Sequence, residues 1–253
     1  MQLLVSVRTA DEARRALDGG ADIIDAKEPA AGALGAVSLP TLVEIVGTVA
    51  SRRPVSAALG DLPAAALAEG RALAFAGAGA VVVKIGFAGV ESRSGLDAVL
   101  AAAVRGAASG GASLVAVAYA DEPDASALAP DTILEAAAHA GAQGLLLDTA
   151  RKDGASLFEL VSADWLTAWV RRAQARGLFT AIAGRLTLED VPTAMAIGSD
   201  LVGVRGAACD GGRNGWISVA RVQRLQAALR GSRHRTRPTA GLRAVSAGTR
   251  HPA

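Results

Sequence analysis

Four times in this chain a helix-like stretch ends on a glycine and a strand-like segment starts at once: GGAD at 19–22, GAGA at 77–80, GAQG at 141–144 and IGSD at 197–200. Glycine stops a helix because it enters the left-handed C-terminal turn at little steric cost. A turn that short returns the chain directly to a sheet, so the repeating unit is β–α. Eight short apolar segments suit the strands, at 3–7, 22–26, 54–59, 80–85, 114–120, 144–148, 179–183 and 201–204. Most are apolar throughout rather than alternating, as parallel strands covered on both faces should be. Between them, Ala/Leu/Arg-rich stretches keep helical spacing at 62–76, 96–108, 131–140, 163–175 and 219–229. Thr9-Ala-Asp-Glu12 and Thr187-Leu-Glu-Asp190 read as capping boxes at two further helix starts. Eight units of about 30 residues predict an α/β fold, a single (β/α)8 TIM barrel. The competing open doubly wound sheet would need a G-x-G-x-x-G after its first strand, and none stands there.

Composition narrows the setting. No stretch approaches the ~20 unbroken apolar residues of a membrane span, and the opening MQLLVSV lacks the basic start and cleavage pattern of a signal peptide. Cys209 is the single cysteine, which rules out an intrachain disulfide and a multi-cysteine metal site. A cytoplasmic protein without membrane contact is expected. From Arg230 onward come six arginines and no acid, so the net +2 of the whole chain conceals about −4 in residues 1–229. The division expected is a catalytic barrel at 1–230 and a basic, disordered tail at 231–253. The body offers no basic helix interleaved with aromatics, so nucleic acid is not an expected partner.

In a barrel the C-terminal strand ends and their loops carry the site whatever the chemistry. Read in order, they supply Ser6; Asp25 and Lys27; Asp61; Lys84; Tyr119 and Asp121; Asp148, Thr149 and Lys152; Gly184; and Arg205 with Gly206. Histidines are missing from this ring, since His139 falls in a helix and His234 and His251 in the tail. No histidine-held metal is expected; an acidic Mg²⁺ site from Asp25, Asp121 and Asp148 is the alternative.

Lysine is scarce here: Lys27, Lys84 and Lys152 stand against 23 arginines, and two of the three end apolar strands. A desolvated ammonium, or one beside another cation, loses basicity, and the free amine attacks a carbonyl to form a Schiff base. Strands 2 and 4 contribute to one interior layer, so Lys27 and Lys84 can converge as nucleophile and proton shuttle. Asp25 and Asp148 would orient them or exchange protons with them. The plain alternative is that each lysine only pairs with a strand-end acid. Tyr119, the single tyrosine, can polarise an oxygen or merely pack at the rim, and Lys152 reads as more exposed, binding phosphate or nothing. After strands 7 and 8, AGRLT at 183–187 and VRGAACDGGRNG at 204–215 offer glycines that let a phosphate approach the backbone near Gly184 and Gly206. Arg205 and Arg213 would add charge there. Cys209, with no histidine near it in sequence, reads as a spectator.

These stretches carry a resemblance. LLVSV at 3–7, GGADIIDAKEPAAGALGA at 19–36, VSAALGDLP at 55–63, VKIG at 83–86, VAVAYAD at 115–121, LLDTARKDGASLFE at 146–159 and VGVRGAACDGGRNGWI at 202–217 are similar to the (5-formylfuran-3-yl)methyl phosphate synthase family. The resemblance implies a class I aldolase-like barrel without a cofactor. It implies a lyase that joins two glyceraldehyde 3-phosphate molecules into a phosphorylated furan aldehyde for methanofuran-type cofactors. It places the Schiff base on Lys27 of DAKEP, the proton acceptor on Lys84 of VKIG, and a site aspartate at Asp148 of DTA. A homo-oligomer is the class expectation. Two other functions remain open at this point: another class I aldolase or isomerase of sugar phosphates, and a non-catalytic barrel that binds a phosphometabolite.

Overall fold

The computed structural model describes residues 1–121 and 129–231. Eight strands, β1 Gln2–Val7, β2 Ile23–Ala26, β3 Val55–Asp61, β4 Val82–Gly86, β5 Ser113–Tyr119, β6 Gly144–Asp148, β7 Phe179–Ile182 and β8 Leu201–Val204, close in chain order into a parallel barrel. The last pairs back on the first, with Leu4 opposite Gly203. Each lies within two residues of the span expected from sequence. The helices are α1 Ala10–Asp18, α2 Leu39–Val49, α3 Ala65–Gly77, α4 Arg93–Ser109, α5 Pro130–Ala140, α6 Leu157–Leu160, α7 Ala163–Ala175, α8 Val191–Ile197 and α9 Val219–Gly231. A small antiparallel ribbon, β9 Cys209–Asp210 and β10 Trp216–Ile217, follows the barrel. The expected tail lies outside the described residues apart from Gly231, which ends α9.

The two-residue period of the strands explains why they read as unbroken apolar runs. Leu3, Val5 and Val7 of β1 face the helices in one core cluster. Leu4, with Ile23, Val117, Leu146, Ala181 and Leu201 from other strands, packs in a second cluster inside the barrel. Both faces are covered, so both are apolar. Inside, Ser6, Ser56, Ala58, Ala181 and Gly203 are small, and a cavity of about 1220 Å³ runs from Gln2 and Ser113 at the strand starts to Lys27 and Lys152 at the strand ends. Among the described residues no helix is long and apolar enough to cross a membrane.

The two expected capping boxes form only in part. Thr9 Oγ1 does accept the Glu12 N–H at 3.3 Å, but Glu12 reaches past the cap to the Arg8 N–H at 2.9 Å and is otherwise buried. At Thr187 the sense is reversed: Asp190 accepts from the Thr187 N–H and hydroxyl, at 2.8 and 3.0 Å, and α8 begins after it. A capping box that the sequence reading did not pick out closes α6, where Glu159 accepts the Ser156 N–H at 2.6 Å.

α3 and α4 approach so closely that a Cβ built on Gly106 would stand 2.2 Å from the Glu69 carbonyl oxygen. A backbone atom cannot swing aside as a side chain can. Gly106→Ala should therefore destabilise the barrel by roughly 1–3 kcal/mol despite the better helix propensity of alanine. Denaturant unfolding checks this, and an unchanged midpoint would contradict it.

Candidate active site

Inward alternation on β2 carries Ile23, Asp25 and then Lys27 to the barrel interior. Register sets Ser6 of β1 and Ser56 of β3 on either side of Asp25. Fully buried, Asp25 accepts the Ser6 hydroxyl at 2.8 Å and the Ser56 hydroxyl at 2.7 Å, and it ion-pairs with the Lys84 ammonium at 2.7 Å. The second cluster forms around Asp148 at the end of β6. It accepts Lys152 Nζ at 2.6 Å and the Thr149 N–H at 2.8 Å, while Lys27 Nζ stands 3.6 Å from its other oxygen. Lys152, expected on an exposed loop, instead folds inward because Asp148 and the Thr149 hydroxyl hold its ammonium. Lys27 and Lys84 therefore share the mouth, as their strand-end positions require, and all three lysines line the cavity.

The two carboxylates are not equivalent to their lysines. Lys84 meets an oxygen at full hydrogen-bond distance, whereas Lys27 is held only loosely by an acid that Lys152 already occupies. Burial lowers the Lys27 amine from 10.5 to about 8; Asp148 opposes that shift, and the Lys152 and Lys84 charges reinforce it. For Asp148, burial works against ionisation, but Lys152, Lys27 and the Thr149 N–H outweigh it and hold the carboxyl at about 2. The result is a firm anion beside an amine that is partly free near neutral pH.

Several expected ligands turn out to be structural. Arg205 uses all five N–H donors within the protein: Glu12 takes two, and the carbonyls of Ser6, Arg213 and Gly215 take the rest. It has no donor left for a phosphate, which corrects its reading as a ligand; it fastens the loop after β8 to α1. Ser6 likewise gives its hydroxyl to Asp25 rather than offering it to a ligand. Arg213 spans to the loop after Lys27, donating to the Pro29 and Gly32 carbonyls at 2.9 Å each, and lines the cavity beside Gly206. Gly184 also lines it, and a Cβ there would press to 2.8 Å from Thr149, so glycine lets the loop after β7 close on β6. Tyr119 donates to both oxygens of Asp61, at 3.1 Å each.

Asp121 accepts the Ala150 and Arg151 N–H groups and braces the loop after β6, so the three aspartates weighed as a Mg²⁺ site are each committed to other partners. Among the described residues no group of three or more His, Cys, Asp or Glu could hold a metal ion. Cys209 is buried, and burial pushes its thiol up, which fits a spectator. The sequence reading missed Glu12, whose partner Arg205 is 193 residues away, and Ser56. It also missed Arg185, which lines the mouth with a left-handed φ of 57°. For Ser56 the alternation of β3 was an available signal; for Glu12 none was.

The 4-HFC-P synthase family model matches residues 3–226. The chain belongs to the 4-HFC-P synthase family. Relatives named (5-formylfuran-3-yl)methyl phosphate synthase include one from Archaeoglobus fulgidus, 36% identical over 239 residues that cover 91% of this chain and 100% of the relative. Another, from Methanopyrus kandleri, is 39% identical over 233 residues, 90% of this chain and 98% of the relative. Among solved structures, 3-hexulose-6-phosphate synthase superposes with a TM-score of 0.63 at 19% identity, covering 90% of this chain and 100% of that one. Phosphoribosyl anthranilate isomerase from Thermus thermophilus gives 0.62 at 15%, covering 92% and 100%. These two likenesses concern the barrel fold. This 4-HFC-P synthase family member is an enzyme, as its sequence suggested.

Three outcomes test this geometry without reference to a substrate. Labelling of Lys27 by a small aldehyde and borohydride, mapped by mass, should rise with pH through about 8. In Lys152→Met the midpoint should move upward, because a repelling cation is gone and Asp148 is released to Lys27; a downward or absent move would refute the pairing. Glu12→Gln should cost about 3–5 kcal/mol in unfolding free energy, since it strands the buried Arg205 charge. A loss under about 1 kcal/mol would show the pair to be dispensable.

Proposed function

We propose that this chain is a (5-formylfuran-3-yl)methyl phosphate synthase. It condenses two molecules of glyceraldehyde 3-phosphate through a Schiff base on Lys27, with loss of phosphate and water, in methanofuran-type cofactor biosynthesis. The observation that carries the reading is the amine of Lys27, lowered to about 8 and lining the barrel cavity with Lys84, Asp148 and Lys152. The names of the relatives support the product.

In this reading Lys27 adds to the carbonyl of one triose phosphate and water leaves, giving an iminium. Lys84, ion-paired with Asp25 at 2.7 Å, exchanges the proton next to that iminium as the enamine forms. The enamine carbon attacks the aldehyde of the second triose. Elimination of one phosphate, loss of water, ring closure and hydrolysis of the iminium, which returns the Lys27 amine, then give the furan. Asp148 remains an anion throughout and stabilises the iminium charge beside it without having to reorganise. Lys152, Arg185 and Arg213, with the backbone at Gly184 and Gly206, supply the surroundings for the phosphates.

Borohydride trapping with glyceraldehyde 3-phosphate, followed by peptide mapping, tests the covalent step. The expected result is a triose adduct on Lys27, absent in Lys27→Ala. Lys84→Ala should slow appearance of the near-ultraviolet furan chromophore by about 10²-fold or more. An adduct with no chromophore would indicate an ordinary aldolase or isomerase of sugar phosphates, and no adduct with any triose phosphate a binding barrel.

A further inference from the structure

An acid at the mouth, Asp61, takes no part in the chemistry above, yet three features of the fold are arranged around it. β3 is irregular where it reaches the mouth: its pairing with β4 shifts between Ala58 and Asp61, with Gly60 at φ 93°. A bulge re-aims a side chain. Here it sets Asp61 opposite Gly86, where regular alternation from Ser56 and Ala58 would have put Gly60 on the inward face. Gly86 then gives the carboxylate its seat, since a Cβ there would stand 2.0 Å from Asp61 Oδ1. Across the gap that Gly86 leaves, Tyr119 of β5 hydrogen-bonds both carboxylate oxygens at 3.1 Å.

Tyr119 connects this acid to the lysine site. It lies opposite Asp148 in the β5–β6 register, and Asp148 stands 3.6 Å from Lys27. Lys27 itself acts electrostatically on Asp61 from the strand on the other side. Asp61 and Tyr119 thus stand at the ends of β3 and β5, between Lys27 just past β2 and Asp148 at the end of β6. Burial pushes the Asp61 carboxyl above the usual range, although the Ala88 N–H, Tyr119 and Lys27 pull it back. A protonated carboxyl there turns its bond with Tyr119 around, donating to the phenol oxygen and freeing the phenol hydrogen for a neighbour.

We propose that Tyr119 and Asp61 form a proton relay that protonates the hydroxyl leaving as water during furan formation, an inference that rests on the reaction proposed above. As that C–O bond breaks, the Tyr119 hydroxyl passes its proton to the departing oxygen. The Asp61 proton moves to the phenol oxygen, leaving a carboxylate. The Lys84–Asp25 pair takes a proton from the adjacent carbon, whose C–H electron pair becomes the new C=C bond. One water is released, nothing is oxidised or reduced, and Asp61 regains its proton from solvent. Tyr119 is the catalytic residue of the relay, and Asp61 the positioning residue that acts through it.

The test compares wild type with Asp61→Asn, Tyr119→Phe and Gly86→Ala, whose added methyl displaces the carboxylate from its seat. Three measurements are made: borohydride trapping on Lys27, furan absorbance, and kcat against pH, with thermal unfolding to verify folding. The relay predicts trapping at wild-type yield in all three variants, with furan formation slowed about 10²-fold. The loss should fall in kcat, with KM changed less than about threefold. A relay acid must be protonated, so wild-type kcat should fall as pH rises through the Asp61 pKa, and Asp61→Asn should lack that limb. Furan formation within about threefold of wild type, with an unchanged pH profile, overturns the relay. So does a parallel loss of trapping and furan, which would mark a purely structural tie. A wild-type protein that neither traps nor forms furan overturns the reaction itself, and the relay with it; normal wild-type turnover beside unaffected variants overturns the relay alone.

Discussion

Three ammonium groups enter the mouth of this barrel, and two carboxylates, Asp25 and Asp148, meet them there. Everything else about the site follows from how those two are shared. Asp25 is claimed by Lys84 and by two serine hydroxyls, and Asp148 most closely by Lys152. Among the described residues Lys27 receives what is left, one ion pair at 3.6 Å with its side chain 10% exposed. An ammonium so poorly compensated is costly to keep charged. A fall from 10.5 to about 8 corresponds to about 3 kcal/mol between its two protonation states. At pH 7.5 that leaves about a quarter of the molecules with a free amine, against about one in a thousand for an ordinary lysine.

A reactive amine is useful only if the loops around it stay in place. Two arginines do that work at the price of their own freedom. Arg205 joins α1, β1 and the loop after β8, and Arg213 carries the connection on to the carbonyls of Pro29 and Gly32, just past Lys27. Arg8 completes the group, pairing with Glu12 at 3.1 Å and lying 5.0 Å from the centre of the Trp216 ring. A guanidinium suits such joints because its planar donors are fixed relative to one another. Loops that would otherwise move independently are thereby tied to the strand ends that carry the lysines.

How much of this could be read from the chain depended on whether the relevant signal was local. Strands buried on both faces announce themselves as apolar runs, and glycines mark the returns, so the barrel was legible, and with it the strand-end lysines. Lys152 was misjudged because its loop position suggested exposure, while its real environment is set by an aspartate four residues earlier that turns into the same cavity. Glu12 looked like a cap residue and behaves partly as one; its main partner lies on the opposite side of the chain, which no local pattern encodes. Asp61 stood among the strand-end residues in the sequence, but its aim was hidden by a shift of phase. Counting inward positions along β3 arrives at Gly60, and only the irregularity at that glycine hands the place to its neighbour. Arg205 shows the converse error, since a cation near a glycine-rich loop suggests an anion, yet carboxylate and carbonyl oxygens can claim a guanidinium just as well.

Space is the last condition. A (β/α)8 barrel ordinarily fills its interior with large branched side chains, and an open site needs that filling removed near the mouth without leaving buried polar groups unmatched. Ser6 and Ser56 meet both needs. Each is small enough to leave the cavity open, and each gives its hydroxyl to Asp25, which, together with Lys84, satisfies a carboxylate that has no access to water. Alanines there would open the same space but leave Asp25 with fewer donors, and its demand would fall on the remaining ammonium groups. Lys27 could then be drawn into a close ion pair and lose the loose contact that keeps its basicity low. The hydroxyls on β1 and β3 therefore help decide which lysine has its basicity lowered, although neither stands beside it in sequence.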